Sequence, residues 1–149
     1  MTEPKLYFED IKIGDGMETP GQTLTETDMI RYAALTGEWE ERVTDAVAAQ
    51  ISESGTRVLP ELLALCISSG LGWRGPQPSL AILAFMGLEW QFLRPLRIGD
   101  TIRSRSRTLA KRSLKDGGVI IEGREIVNQR GEIVQSGKLT LLLAKRPAR

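Results

Sequence analysis

Acidic residues supply the side chains that could do chemistry in the middle of this sequence. Glu38, Glu40 and Glu41 lie close together, and Glu61 follows a proline. A carboxylate can act as a general base or as a nucleophile. The 149 residues include no histidine and a single cysteine, which excludes Ser-His-Asp and Cys-His nucleophiles, a histidine base, and zinc sites built from histidine or thiolates. Chemistry in this chain therefore rests on carboxylates, hydroxyl groups and backbone dipoles, and we expect neither a metal ion nor another cofactor.

Basic residues form a second candidate site. Arg103, Arg105 and Arg107 alternate with uncharged residues, so in a β-strand their guanidinium groups share one face. Phosphate groups such as those of coenzyme A suit such a face, but an ordinary solvent-facing strand that discourages aggregation has the same pattern. The formal net charge is only +1, and no aromatic residues interleave with these arginines, so we expect no nucleic-acid partner.

Hydropathy gives no sign of a membrane partner. No stretch approaches the roughly 20 apolar residues that a spanning helix needs, and residues 1–10 lack the pattern of a targeting segment. We therefore expect a cytoplasmic protein. Cys66 lies in an apolar run, where a buried and unreactive thiol is the commoner case.

Three helices are predicted in the first half of the chain. Residues 25–37 open with a capping-box variant, carry apolar residues at helical spacing and end at a glycine. A second helix, capped by Asp45, is expected to run to about residue 54. A third, at 60–70, opens with Pro60 and is apolar on most of its circumference, which predicts burial on nearly every side.

Polar-apolar alternation predicts four strands in the second half, at 81–93, 101–111, 119–128 and 133–145. Turn-forming connections favour an antiparallel sheet in which sequential strands pair. The tripeptide Ile-Gly-Asp occurs at 13–15 and again at 98–100, each time as a turn ahead of a strand. A buried helix followed by a long meander predicts one α+β domain over residues 1–149, in which a curved antiparallel β-sheet wraps a central helix.

The acidic loop carries a family resemblance. Residues 36–45 read Thr-Gly-Glu-Trp-Glu-Glu-Arg-Val-Thr-Asp, and their spacing resembles the loop Ser-Gly-Asp-x-Asn-Pro-x-His-x-Asp of MaoC-like hot-dog proteins of the (R)-specific enoyl-CoA hydratase type. Gly37 and Asp45 match that pattern. Glu38 stands where the family has its catalytic aspartate, and Val43 where it has its catalytic histidine.

The start of the predicted central helix resembles the same family less closely. The family opens this helix with Ala-His-Gly-Met, whereas residues 59–62 read Leu-Pro-Glu-Leu; the small-residue stretch from Ser69 onward is similar. Hydratases of the family polarise the thioester carbonyl with a backbone amide near this point. The matching position is Glu61, whose N–H lies at a helix N-terminus. A carboxylate where the family has glycine would repel an oxyanion unless it turns outward.

The resemblance implies a hot-dog fold and a protein that binds an acyl-CoA or a related thioester. Its hydratase or dehydratase activity would be weak or redirected, because a positioned acid-base group is typically worth about 10²–10⁴-fold in rate. Two alternatives stay open: a non-catalytic subunit that pairs with an intact MaoC-like partner, and a thioesterase that uses Glu61. Glu38 can also be a plain solvated carboxylate, and Glu61 a partner of the helix dipole.

The resemblance also implies which residues form the site and what assembles with the chain. Catalysis falls to Glu38 and Glu61. A homodimer or higher homo-oligomer is expected, since family members build acyl tunnels between protomers. The residues expected to bind substrate are Gly37, Val43, Asp45, Pro60 and Ser69, to which the strand pattern described above adds Arg103 and Arg105.

Overall fold

The computed structural model describes residues 4–147, apart from the side chain of Arg42, as an α+β arrangement of short helices and one large sheet. In chain order the elements are β1 (Lys5–Leu6), a 3-10 helix (Phe8–Asp10), β2 (Gly16–Glu18), β3 (Gln22–Thr23), α1 (Glu26–Thr36), α2 (Glu41–Thr44), α3 (Ala46–Gln50), α4 (Glu61–Gly72), β4 (Ser79–Leu80), β5 (Ile82–Phe92), β6 (Thr101–Ser113), β7 (Gly118–Val127) and β8 (Ile133–Leu143).

Helix α1 begins and ends where its local chemistry predicts. The Thr25 hydroxyl accepts a hydrogen bond from the Asp28 N–H, and the Asp28 carboxylate accepts one from the Thr25 N–H at 2.8 Å. Gly37 ends the helix with φ 80°, and its N–H donates to the Ala33 carbonyl. Glycine reaches this left-handed conformation without steric cost. The prediction of this helix is confirmed.

The second predicted helix is shorter than expected. Asp45 caps α3 by accepting hydrogen bonds from two backbone N–H groups, but the helix ends at Gln50 rather than near residue 54. Just beyond its end, the Ser52 hydroxyl donates to the Ala49 carbonyl at 2.7 Å. Serine side chains that bond to the local backbone compete with helical hydrogen bonds, which accounts for the early end.

The two Ile-Gly-Asp turns are confirmed and share one geometry. Gly14 and Gly99 both have φ 93°. Asp15 and Asp100 each accept a hydrogen bond from the backbone N–H three residues earlier in the chain, at 2.8 and 2.9 Å. These turns deliver the chain into β2 and β6, which are antiparallel neighbours.

The sheet has the strand order β2-β6-β7-β8-β5, and β3 also pairs with β6. Strands β6, β7 and β8 pair in sequence as predicted. The expectation for β5 was wrong, because it pairs with β8 and not with β6. The connection 93–100 lies instead against the segment before α4, where the Leu59 N–H donates to the Leu96 carbonyl at 2.8 Å. This connection carries the chain past the start of α4, so the sheet can curve around that helix.

Helix α4 packs on the inner face of β6 and β7, in a core that contains Leu63, Leu71, Ile102 and Ile126. The expectation that this helix is buried on nearly every side was wrong. Leu62 is 48% exposed, and Cys66 was also wrongly expected to be buried. Helical periodicity extends this exposed face into one stripe along α4, made of Leu62, Cys66, Ser69, Gly70 and the following Trp73.

Candidate functional site

The site begins at the end of α1, where Gly37 turns the chain into the acidic loop. Glu38 follows immediately and is half-buried, and its N–H donates to the Thr36 hydroxyl at 3.2 Å. The neighbouring acids Glu40 and Glu41 are exposed. Of the three acids in this loop, Glu38 is therefore the one drawn toward the body of the protein.

Tyr32 places a hydroxyl beside Glu38. Its ring lies on the buried face of α1 and is 9% exposed, and its hydroxyl lies near the Glu38 carboxylate. Burial raises the pKa of Tyr32 to about 12, and the polar interaction with Glu38 and the negative charges of Glu38, Cys66 and Glu61 act in the same direction. At neutral pH the phenol is therefore a hydrogen-bond donor. Glu38, Glu61 and Cys66 therefore all lie within electrostatic reach of the Tyr32 hydroxyl.

Sequence reasoning missed Tyr32, although a signal was present. Met29, Tyr32 and Ala33 form the buried face of α1. A tyrosine on a buried helix face usually needs a partner for its hydroxyl. Such a partner had to come from a nearby loop, and Glu38 is the first carboxylate after the helix.

Val43 and Asp45 occupy structural positions in the same loop. Val43 is 1% exposed and belongs to the apolar core together with Leu59 and Leu63. The Asp45 carboxylate accepts hydrogen bonds from the N–H groups of Val47 and Ala48 at 2.8 and 3.1 Å. In this geometry Val43 contributes packing and Asp45 caps a helix.

The start of α4 faces the cluster around Tyr32. Pro60 is the buried N-cap residue and Glu61 opens the first turn, half-buried. The Glu61 carbonyl accepts a hydrogen bond from the Gln135 side chain at 2.8 Å, and Gln135 in turn accepts one from the Trp90 indole at 3.0 Å. This relay ties the first turn of the helix to β8 and β5. The N–H groups of a first turn have no acceptor within the helix, and the helix dipole favours negative charge there.

Ser69 lies two turns further along α4, on the exposed stripe. It lines a cavity of about 180 Å³ between the second half of the helix and the inner face of the sheet. Apolar side chains such as Phe85, Leu139 and Leu141 form much of its wall. A cavity with this lining suits part of a chain-like ligand.

Arg103 and Arg105 lie elsewhere. The alternation of buried and exposed residues along β6 places them on the outer face of the sheet, opposite α4. Both pair with Glu18, at 3.3 and 2.9 Å, and the hydrogen bond from Arg105 is the main cause of a lowered pKa of Glu18. Arg105 also lines a broad outer groove that contains Glu89 and Glu125. The structure does not bring these arginines together with Glu38 and Glu61.

Residues 4–147 lack the features of a metal site and of a membrane-spanning helix. No group of three or more acidic or cysteine side chains there could hold a metal ion. In the same part of the chain, no helix has the length and apolar character to cross a membrane.

Comparison with known proteins identifies the class. A sheet that wraps a central helix in this order is the hot-dog fold. The family model described as the MaoC like domain matches residues 10–129. This chain therefore belongs to the MaoC-like family of dehydratases and hydratases.

Individual relatives agree with this assignment. The chain is 37% identical over 103 residues to Protein MaoC of Klebsiella aerogenes, a match that covers 68% of this chain and 30% of that protein. It thus spans about a third of the length of that curated relative. A monoamine oxidase regulatory protein from Archaeoglobus fulgidus has a TM-score of 0.88 at 33% identity, covering 96% of this chain and 97% of that one. The MaoC-like dehydratase from Rhodospirillum rubrum has a TM-score of 0.83 at 25% identity, covering 96% and 99%.

Proposed function

We propose that this chain binds an acyl-CoA or a related acyl thioester between the loop 37–45 and the first turn of α4, and that it hydrates enoyl thioesters slowly. The observation that carries the proposal is the position of Glu38 beside the Tyr32 hydroxyl, on which the charge of Glu61 at the helix start also acts. A base and a source of oxyanion stabilisation at a helix N-terminus are thus near each other.

Glu38 acts as the only proton carrier in the proposed reaction. It accepts a proton from water while the water oxygen bonds to C3 of the enoyl thioester. The electron pair of the C2–C3 double bond shifts toward the thioester oxygen, where the first turn of α4 stabilises the negative charge. Glu38 then returns the proton to C2, which yields the 3-hydroxyacyl thioester. Tyr32 is a positioning residue, because its hydroxyl contacts Glu38 and not the substrate.

The reaction is expected to be slow because the position that matches the family histidine holds Val43. A missing acid-base group typically costs about 10²–10⁴-fold in rate. Glu38 is also one methylene longer than aspartate. A displacement of about 1 Å at the reacting centre can cost on the order of 10²-fold.

The test combines binding and turnover on one preparation. Calorimetric titration with crotonyl-CoA and a longer enoyl-CoA measures affinity, and loss of the enoyl absorbance band measures hydration. Glu38→Gln should abolish hydration while it leaves the affinity nearly unchanged. Glu41→Gln is the matched control, since Glu41 is an exposed acid of the same loop. Unchanged turnover in Glu38→Gln would remove Glu38 from the mechanism.

A non-catalytic subunit is the second candidate, and the burial of Val43 favours it. In this chain a core valine fills the position that matches the family histidine. Such a chain can still supply shape and half of a binding tunnel. Thioester binding without any loss of the enoyl band would support this reading. Failure to bind either thioester would direct attention to a protein partner.

A thioesterase centred on Glu61 is the third candidate, because the charge of Glu61 acts on the Tyr32 hydroxyl, as the charge of Glu38 does. Its product would be a free thiol. A thiol-trapping reagent therefore separates thioester hydrolysis from hydration, and Glu61→Gln should abolish thiol release only in the hydrolytic case.

The proposed assembly is a homodimer that forms through strand β5. This strand lies at one end of the sheet and exposes a row of large apolar residues. Unpaired strand edges with apolar side chains favour association. Met86→Glu on β5 should lower the mass measured by sedimentation, while Leu35→Glu on exposed α1 should not. An unchanged mass in Met86→Glu would rule out this seam. The exposed apolar residues of the row are Ile82, Leu83, Phe85, Met86, Leu88, Phe92 and Leu93.

A further inference from the structure

The inner face of the sheet carries two separate apolar clusters, with the cavity of about 180 Å³ between them. One cluster lies beneath α4 and includes Ile126. The other lies beneath residues 8–11 and includes Ile120 and Leu139. Between Ile120 and Ile126, the inward positions of β7 are Glu122 and Arg124, and both line the cavity. A charged pair thus stands where the strand would otherwise continue an apolar surface.

The Glu122–Arg124 pair is largely buried, and the hydrogen bonds between the two side chains use only some of their polar atoms. The side chains of Arg124 and Glu122 are 12% and 9% exposed. Arg124 donates from both Nε and Nη2 to the same oxygen, Glu122 Oε1, with the Nε bond at 3.0 Å. Among residues 4–147, no protein hydrogen bond involves Glu122 Oε2 or Arg124 Nη1, and no enclosed side-chain polar atom lacks a partner. Both atoms are therefore accessible, and the cavity is a space that both residues line.

The cross-strand neighbours of Arg124 are small residues. Arg124 lies opposite Ser106 on β6 and opposite Gly137 on β8, and the Trp90 ring occupies the space over that glycine. Removing two charges from water is costly, and well-packed apolar residues of similar volume are often at least as stable as a buried ion pair. The pair is thus poorly explained as a stabilising element of the core, and its open atoms face a space that a ligand can enter.

We infer that the cavity receives the far end of an acyl chain that carries a hydroxyl group. A hydroxyl donates to Glu122 Oε2 and accepts from Arg124 Nη1 at the same time, so it satisfies both open atoms. A plain methyl end would leave both without partners and exclude water from them. A carboxylate end would be attracted by Arg124 but repelled by Glu122, so the neutral pair favours a neutral donor-acceptor group.

The exposed stripe of α4 connects this cavity to the proposed reaction site, on which the inference rests. Cys66 lies close enough to Tyr32 for its charge to act on the phenol. Ser69, three residues later, lines the cavity. Three residues of helix span about 5 Å along the axis, which is close to one turn. An acyl chain whose thioester lies at the start of α4 can therefore reach the cavity by following this stripe.

The test is calorimetric titration with straight-chain acyl-CoA thioesters of increasing length, each paired with its ω-hydroxy analogue. At the length that reaches the cavity, the hydroxylated thioester should bind roughly 10-fold more tightly, as expected for hydrogen bonds to charged groups. The double variant Glu122→Leu with Arg124→Leu should bind the methyl-ended thioester at least as well as its hydroxylated counterpart. Glu125→Leu, on the outer face of the same strand, should keep the wild-type preference.

The outcomes separate this inference from the proposed function. A wild-type chain that binds both members of every pair equally, or prefers the methyl-ended thioester at every length, overturns the inference and leaves thioester binding intact. A chain that binds no thioester removes both. If the double leucine variant does not fold, Arg124→Lys serves in its place, because lysine keeps the charge but loses the planar fork of donors. The preference should then fall several-fold, and an undiminished preference would contradict the role of Arg124.

Discussion

Replacing Tyr32 by phenylalanine removes the hydroxyl beside Glu38 while it keeps the buried ring. In the folded protein the pKa of Tyr32 is raised from 10 to about 12, chiefly by burial. Between these two pH values the unfolded chain has lost the phenolic proton and the folded chain retains it. Unfolding then releases a proton, so the free energy of unfolding falls as the pH rises from 10 to 12.

The size of this effect follows from the shift. Each pKa unit corresponds to about 1.36 kcal/mol, so two units give at most about 2.7 kcal/mol. The Tyr32 ring is buried, but its hydroxyl reaches toward a loop at the surface, where water screens part of the interaction. We therefore expect about 1–2 kcal/mol. Below pH 10 this contribution is fully present in the wild type, and it is lost by about pH 12.

Urea unfolding at a series of pH values measures the effect. The stability difference between wild type and Tyr32→Phe should shrink by about 1–2 kcal/mol between pH 10 and 12. The two proteins share every other ionisable group, so the comparison removes the contributions of those groups. The difference in tyrosinate absorbance between the two proteins gives the Tyr32 titration directly. A midpoint close to 10, or a stability difference that stays constant over this range, would refute the proposed environment of Tyr32.

Three further substitutions test other features of the site and its frame, each by urea unfolding. Gln135→Leu should lower the free energy of unfolding by about 1–3 kcal/mol, because it leaves the half-buried Trp90 indole without its acceptor; exposed Gln91→Leu should change it by less than about 0.5 kcal/mol. Gly70→Ala should raise stability by up to about 1 kcal/mol, since nothing lies within 4 Å of the added methyl. A loss of stability in Gly70→Ala would instead indicate that another chain packs on the exposed stripe of α4. Gly118→Ala should cost about 1–3 kcal/mol, because the methyl would overlap the buried Phe8 ring; a neutral result would mean that this ring moves freely.

Features of the fold that depend on local chemistry could be predicted from the sequence. The capping residues of α1, the proline before α4 and the two Ile-Gly-Asp turns each act within a few residues. The pairing of β5 with β8 could not be predicted in this way. It joins segments about 50 residues apart, and the alternation along β5 is the same whichever strand lies beside it.

For the same reason, only part of the site could be predicted from the sequence. The loop spacing identified Glu38, but the link from Tyr32 to Cys66 and Glu61 depends on how α1 packs against α4. The prediction that α4 is buried on nearly every side was wrong, because the apolar pattern of a helix does not determine which part of the protein covers each of its faces. In this chain one stripe of α4 stays outside the core, and it contains Cys66 and Ser69.

The buried position of Val43 and the state of Tyr32 together limit how this chain can move a proton. Val43 lies in the apolar core and has no group that can titrate. Tyr32 keeps its proton far above neutral pH, so its hydroxyl can orient Glu38 but cannot serve as a base. Hydration of an enoyl thioester needs a proton removed from water and a proton delivered to carbon. If this chain carries out both steps near Tyr32, the same carboxylate has to act first as base and then as acid, which is why Glu38→Gln should remove the whole reaction rather than one half of it.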